Sequence, residues 1–152
     1  MKLTLIADLS EIKFDKKGRH IHHGLMLFNY LLDHSLLYKK DIIYDEEKKI
    51  LNLYLKRNDF SPILRKMSIF STWTREKFKK IDCKLSINNV IKYLINDDVL
   101  FDKADEEIII GGITFDEEGL YIGSWCLYER GFEIIIEVDK IFISLEDINL
   151  NV

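Results

Sequence analysis

Between residues 132 and 139 the chain alternates with period two: Phe132, Ile134, Ile136 and Val138 fall on one side, Glu133, Glu137 and Asp139 on the other. That period belongs to a β-strand with one dry face and one wet, acidic face. Just upstream, residues 120–128 set Tyr121, Gly123, Trp125 and Leu127 against Leu120, Ile122, Ser124, Cys126 and Tyr128. Both faces are apolar, which predicts a central strand or one covered by a helix. The run from Ile108 to Phe115 predicts a third strand, and Gly111-Gly112 inside it predicts a bulge or bend rather than a nucleotide loop. Further strands are expected at 2–7, 42–44 and 49–56. Three stretches share an aromatic-Asp opening: Phe14-Asp15-Lys16-Lys17-Gly18, Tyr44-Asp45-Glu46-Glu47-Lys48 and Phe115-Asp116-Glu117-Glu118-Gly119. An Asp that accepts from the amides ahead of it starts a tight turn, so each stretch predicts a hairpin. No fixed period links them into a solenoid.

Helical spacing predicts helices at about 24–38, 61–80 and 86–97. The first is apolar nearly all round, through Leu25, Met26, Leu27, Phe28, Leu31 and Leu32, as a deeply placed helix is. The second opens on Ser61-Pro62, a cap followed by a proline where the missing N–H is not needed. The third opens at Ser86 and carries Val90, Ile91, Leu94 and Ile95 as a stripe. Together these predict an α+β class: a single domain, 1–152, with an antiparallel sheet of mostly C-terminal hairpins packed against about three helices. The expected core is Leu5, Phe28, Leu31, Leu32, Leu53, Leu64, Phe70, Ile91, Leu94, Ile110, Ile122, Phe132, Ile134, Ile136 and Phe142.

Composition agrees with a folded chain: of 152 residues, 47% are hydrophobic, 32% are charged and one is proline. The opening MKLTLIADLSEIKF carries Asp8 and no cleavage-like small-residue site, and no apolar run approaches the roughly 18 residues that span a bilayer. A cytoplasmic protein is expected, with no membrane partner. Cys83 and Cys126 form no C-x-x-C pair and read as reduced, buried thiols. The net charge of −4 hides a division: residues 1–100 hold 19 basic and 13 acidic side chains, residues 101–152 hold 3 and 13. Such polarity steers charged partners rather than choosing a fold.

Few residues suggest chemistry. His20, His22 and His23 share a strand-like spacing, but no acid or cysteine is fixed beside them, so exposed or packed histidines are expected rather than a metal site. No G-x-S-x-G elbow, H-E-x-x-H pair, Cys-His signature or calcium-loop spacing is present. No cofactor is expected, and an enzyme reading finds no residues to carry it. Segment 56–84 gathers Lys56, Arg57, Arg65, Lys66, Arg75, Lys77, Lys79, Lys80 and Lys84 with Phe60, Phe70, Trp73 and Phe78, a composition that can hold nucleic acid. The solvent face of an amphipathic helix accounts for it as well, and nucleic acid is the lesser reading.

The acidic terminal third is the favoured docking surface. Asp116, Glu117, Glu118, Glu129, Glu133 and Glu137 are expected to be exposed, with Tyr121 and Tyr128 as aromatic anchors and Trp125 as either anchor or core. A short, acidic chain rich in Lys, Ile and Asn, ending in a meander around Gly119-Leu120-Tyr121-Ile122-Gly123-Ser124-Trp125, resembles the small bacterial immunity proteins of polymorphic and contact-dependent toxin systems. That resemblance implies a tight one-to-one complex with a cognate toxin domain, often a basic nuclease, blocked by an acidic surface.

Overall fold

The computed structural model describes residues 4–8, 23–59, 79–97, 107–115, 119–124 and 131–148. Among them the chain forms β1 (Thr4–Asp8), α1 (His23–Leu32), β2 (Ser35–Asp45), β3 (Ile50–Asn58), β4 (Lys80–Ile87), β5 (Val90–Asn96), β6 (Glu107–Phe115), β7 (Leu120–Ser124), β8 (Glu133–Val138) and β9 (Phe142–Asp147). All nine strands join one antiparallel sheet in the order β1-β9-β4-β3-β2-β6-β7-β8-β5. The expected α+β class with about three helices is therefore corrected: the described residues form a mostly β structure with one ten-residue helix. The helix expected at 61–80 falls almost wholly outside the described residues, and its last residue, Lys80, opens β4.

The two helical expectations that the structure corrects fail for different reasons. Helix 24–38 stops early. Asp33 N donates to Asn29 O as a helical residue would, but His34 takes a left-handed φ of 59° and sends its N–H to Ile110 O of β6. The chain then continues as β2. The expected helix 86–97 is instead the end of β4 and all of β5. Ser86 is no cap, since its hydroxyl donates across the sheet to Asn52 Oδ1 at 2.7 Å.

Two corners shape the sheet. In β2, Leu37 pairs with Leu55 and Ile42 with Leu53, so residues 38–41 stand against Tyr54 alone and the strand bends sharply. The second corner lies at Asn88-Asn89 opposite residues 139–141. There Asn88 N donates to Phe142 O, Asp139 N to Asn89 O, and Asn89 Nδ2 to Lys140 O. The β4–β9 pair thus runs on into the β5–β8 pair as one bent ribbon. Bending at both corners brings β5, at one end of the strand order, against β2. Tyr44 and Tyr93 meet edge-on at 5.3 Å, the Tyr44 hydroxyl donates to Val90 O, and Lys39 pairs with Asp97 at 2.6 Å.

Both halves feed one core. Leu51, Leu53, Leu85, Ile87, Ile143 and Leu145 come from the β9-β4-β3 side; Ile113, Leu120, Ile122, Phe132, Ile134 and Ile136 come from the other. Phe28 and Leu32 of α1 complete it. α1 packs chiefly on β6, where it replaces the partner strand that β2 does not supply beyond Ser35. The Asn29 side chain imitates that strand: Nδ2 donates to Ile113 O and Oδ1 accepts from Ile113 N. A side chain at Gly112 would push into that amide, which explains the glycine. The register slips between Ile110 and Gly112, the bulge expected at Gly111-Gly112. Gly119 has an equally plain reason, because any Cβ there would collide with the Ile136 carbonyl.

Most of the expected core is in place, with Leu5 and Leu31 partly buried against it. Three positions need correction: Leu94 and Ile91 are 62% and 54% exposed, and Phe142 is half-buried because Ile143 and Leu145 hold the inward parity of β9. Leu64 and Phe70 lie outside the described residues.

Candidate interaction face

Strand register assigns the outward side chains of β7, β8 and β5. Tyr121 lies opposite Ile135, which lies opposite Leu94; Gly123 lies opposite Glu133, which lies opposite Asn96; Glu137 lies opposite Lys92. Their chain neighbours Leu120, Ile122, Ile134 and Ile136 are completely buried, so this row faces away from the core. An apolar strip of Tyr121, Ile135 and Leu94 therefore crosses three strands, bracketed by two glutamates. The carboxylates differ. Lys92 Nζ sits 3.2 Å from Glu137 Oε2, whereas Glu133 is flanked by Asn96 and by Gly123, which has no side chain.

Among the predicted site residues, Tyr121, Glu133 and Glu137 are thus brought onto one face. Asp116, Glu117, Glu118, Tyr128 and Glu129, with Trp125 and Cys126, lie outside the described residues, as do His20 and His22; His23 opens α1. Among the described residues no group of three or more His, Cys, Asp or Glu is placed to hold a metal. The expectation of a third helix hid Leu94 and Lys92. The signal that could have found them is the outward alternation Lys92, Leu94, Asn96, legible only once 90–96 is read as a strand.

A second polar cluster lies inside the fold, at the end of the β9-β4-β3 half. Arg57 Nε and the Nη2 donate to the two carboxylate oxygens of Asp147, each at 2.8 Å, and Nη1 donates to Asn58 O at 3.0 Å. This bidentate pair reaches across β4, tying β3 to β9, and both side chains are buried. Beside it Cys83 donates to Leu55 O. Burial pushes the Cys83 thiol up to about 12, outweighing the nearby Arg57 cation. The thiol stays protonated at neutral pH and is a packing group rather than a nucleophile. Lys80 donates to Asn58 Oδ1 and to His34 O, and partial burial lowers its pKa. These contacts fix the neck through which the chain leaves β3 and returns to β4, closed by Asp59 N donating to Lys79 O.

The cations of 56–84 that are described are largely used within the fold. Lys56 pairs with Asp82 at 3.3 Å, Lys84 with Glu146 at 3.1 Å and Arg57 with Asp147. Residues 60–78 lie outside the described residues. Among the described residues no helix is long and apolar enough to cross a membrane. Comparison with protein-family models, with curated proteins and with solved structures returns no match to this chain.

Proposed function

We propose that this chain is a cytoplasmic binding module that neutralises a cognate toxin domain by forming a tight protein–protein complex through the outward face of β7, β8 and β5. The observation that carries this reading is Leu94 of β5, 62% exposed beside Ile135 of the acidic strand β8. An aliphatic side chain on a pleated face, with Glu133 and the Lys92-paired Glu137 on the neighbouring strand, suits a basic partner: charge speeds encounter, and the desolvated apolar strip slows release. Of the cations behind a nucleic-acid reading, Lys56, Arg57 and Lys84 already face carboxylates, and Arg65, Lys66, Arg75 and Lys77 lie outside the described residues.

The test uses the protein encoded by the reading frame next to this chain's own. Binding of its toxin domain is measured for wild type, Leu94→Asp and Glu133→Lys, each first shown to be folded by circular dichroism. Leu94→Asp should cost about 2 kcal/mol or more, chiefly through faster dissociation. Glu133→Lys should slow association, and the slowing should fade as salt rises. Unchanged binding by both variants would move the interface elsewhere on the molecule.

A further inference from the structure

The two glutamates of the interaction face are not equivalent, and their difference specifies what the partner brings. Along β8, Glu133 and Glu137 are separated by about 13 Å, four residues at strand rise, with Ile135 midway. Glu137 already has a cation, its cross-strand neighbour Lys92. A partner that paired with Glu137 would have to displace that ammonium and gain little. Glu133 has a neutral amide, Asn96, on one side and a glycine on the other. Its carboxylate has no ion pair among the described residues. Gly123 puts no side chain beside it, and Tyr121, two residues along the same strand, stands on the same face.

From this arrangement we infer that Glu133, Asn96, Gly123 and Tyr121 form a notch for an arginine side chain of the partner, a proposal that rests on the docking face described above. The guanidinium donates in bidentate fashion to the Glu133 carboxylate, and a remaining N–H reaches the Asn96 carbonyl oxygen. The three-carbon stem lies over Gly123, where any other residue would fill the space. The guanidinium plane has the Tyr121 ring beside it, a contact a lysine ammonium satisfies less well because it lacks the planar fork. Ile135 and Leu94 then receive an apolar neighbour of that arginine. The Lys92–Glu137 pair marks the other end of the strip and directs the cation to Glu133.

The experiment follows backbone amide resonances of the isotopically labelled protein during titration with two blocked peptides, acetyl-Leu-Arg-Leu-amide and acetyl-Leu-Lys-Leu-amide. The arginine peptide should shift Asn96, Gly123 and Glu133 in a saturable way. In Glu133→Gln its affinity should fall by about tenfold, as expected for losing one charge-assisted contact, and Glu137→Gln should leave it unchanged. The lysine peptide should bind wild type more weakly than the arginine peptide does. Equal affinities for the two peptides, or equal losses in the two variants, would overturn the arginine assignment. If the notch resonances stay still while a basic toxin domain still loses affinity on Leu94→Asp, the notch is wrong and the docking face stands. If the toxin domain is also indifferent to Leu94→Asp, both are wrong.

Discussion

The sheet presents two outer faces of opposite character. On β1, β9, β4 and β3 the outward rows run Thr4, Glu146, Lys84, Tyr54 and Ile6, Ser144, Ser86, Asn52, and the latter row continues onto β2 at Ile43. Here Lys84 and Glu146 neutralise each other, as do Lys56 and Asp82 one row further on. Ile6 and Ile43 are exposed but stand at opposite ends of a polar row, separated by three strands. On β7, β8 and β5, by contrast, Leu94, Ile135 and Tyr121 are contiguous, and one of the two carboxylates has no cation opposite. Exposed apolar residues scattered singly are ordinary on protein surfaces, whereas the contiguous strip with unspent charge beside it is what the proposed docking face offers a partner. Total charge is therefore a poor guide to which face keeps a carboxylate without a cation. What distinguishes the second face is charge that the fold itself leaves unneutralised.

The halves beneath those faces are also held differently, and the largest predicted effect tests this. The β9-β4-β3 half ends in the buried, bidentate Arg57–Asp147 pair, while the other half is closed against β2 by the Tyr44–Tyr93 contact and the single-contact Lys39–Asp97 pair. Arg57→Ala leaves a buried carboxylate without its cation and should cost about 3–5 kcal/mol in denaturant unfolding. The double replacement Arg57→Met with Asp147→Leu should recover most of that loss, because the desolvation cost of both ions goes with them. A double variant as unstable as the single one would show that the pair contributes directly rather than merely avoiding a penalty. Next in size, Ile134→Ala should cost about 2–5 kcal/mol by leaving a cavity in the shared core, whereas Leu94→Ala, one strand away and outward, should change stability by less than about 0.5 kcal/mol. Comparable losses would place Leu94 against covering structure and remove it from the interaction strip.

One pH effect traces to Cys83, in the first half. Cys83 has an ordinary value of 9.0 and is pushed up to about 12 on burial, so between those values the unfolded chain gives up a proton that the folded chain keeps. The stability contribution is fully present below pH 9 and is lost progressively as pH rises toward 12. At pH 10 the loss should be about 1.4 kcal/mol, or roughly 3–6 °C in melting temperature for a chain of this size. Comparison with Cys83→Ala isolates it from other alkaline titrations, and identical alkaline slopes in the two proteins would refute it.

How far these features were legible in the sequence varied with the kind of information each needs. The inward face of β8 was plain because Phe132, Ile134, Ile136 and Val138 hold an unbroken period of two, and the Asp45 turn was plain because an aspartate there has a local partner, Lys48 N at 3.0 Å. The same alternation put Glu133 and Glu137 on the wet face. β5 was misread because a register slip between Val90 and Lys92 breaks its alternation. The inward residues become Val90, Tyr93 and Ile95, and with Ile91 and Leu94 between them the apolar spacing fits a helix as well as a strand. The end of α1 was hidden because His34, not the usual Gly or Asn, takes the left-handed turn. Arg57 with Asp147, and Lys92 with Glu137, are pairings of register, 90 and 45 residues apart in the sequence, and no local pattern specifies register between distant strands.

The smallest effect compares the two faces most directly. Lys84–Glu146 and Lys92–Glu137 are both cross-strand ion pairs at the surface, of similar length, 3.1 and 3.2 Å, one on each face. Exposed pairs lose in side-chain entropy most of what they gain in attraction, so double-mutant cycles in the free protein should return about 0.2–1 kcal/mol for each, falling with salt. The Lys84–Glu146 coupling should be the larger of the two, because the Lys84 side chain is 31% exposed and that of Lys92 77%, so water screens the second pair more. With a basic partner present they should diverge further. Removing Lys92 uncovers a second carboxylate on the docking face, so Lys92→Gln should speed association with that partner, whereas Lys84→Gln uncovers Glu146 on the face that the partner does not touch and should change the rate little. Equal acceleration by the two variants would mean that the partner responds to net charge alone and that neither face is its specific site.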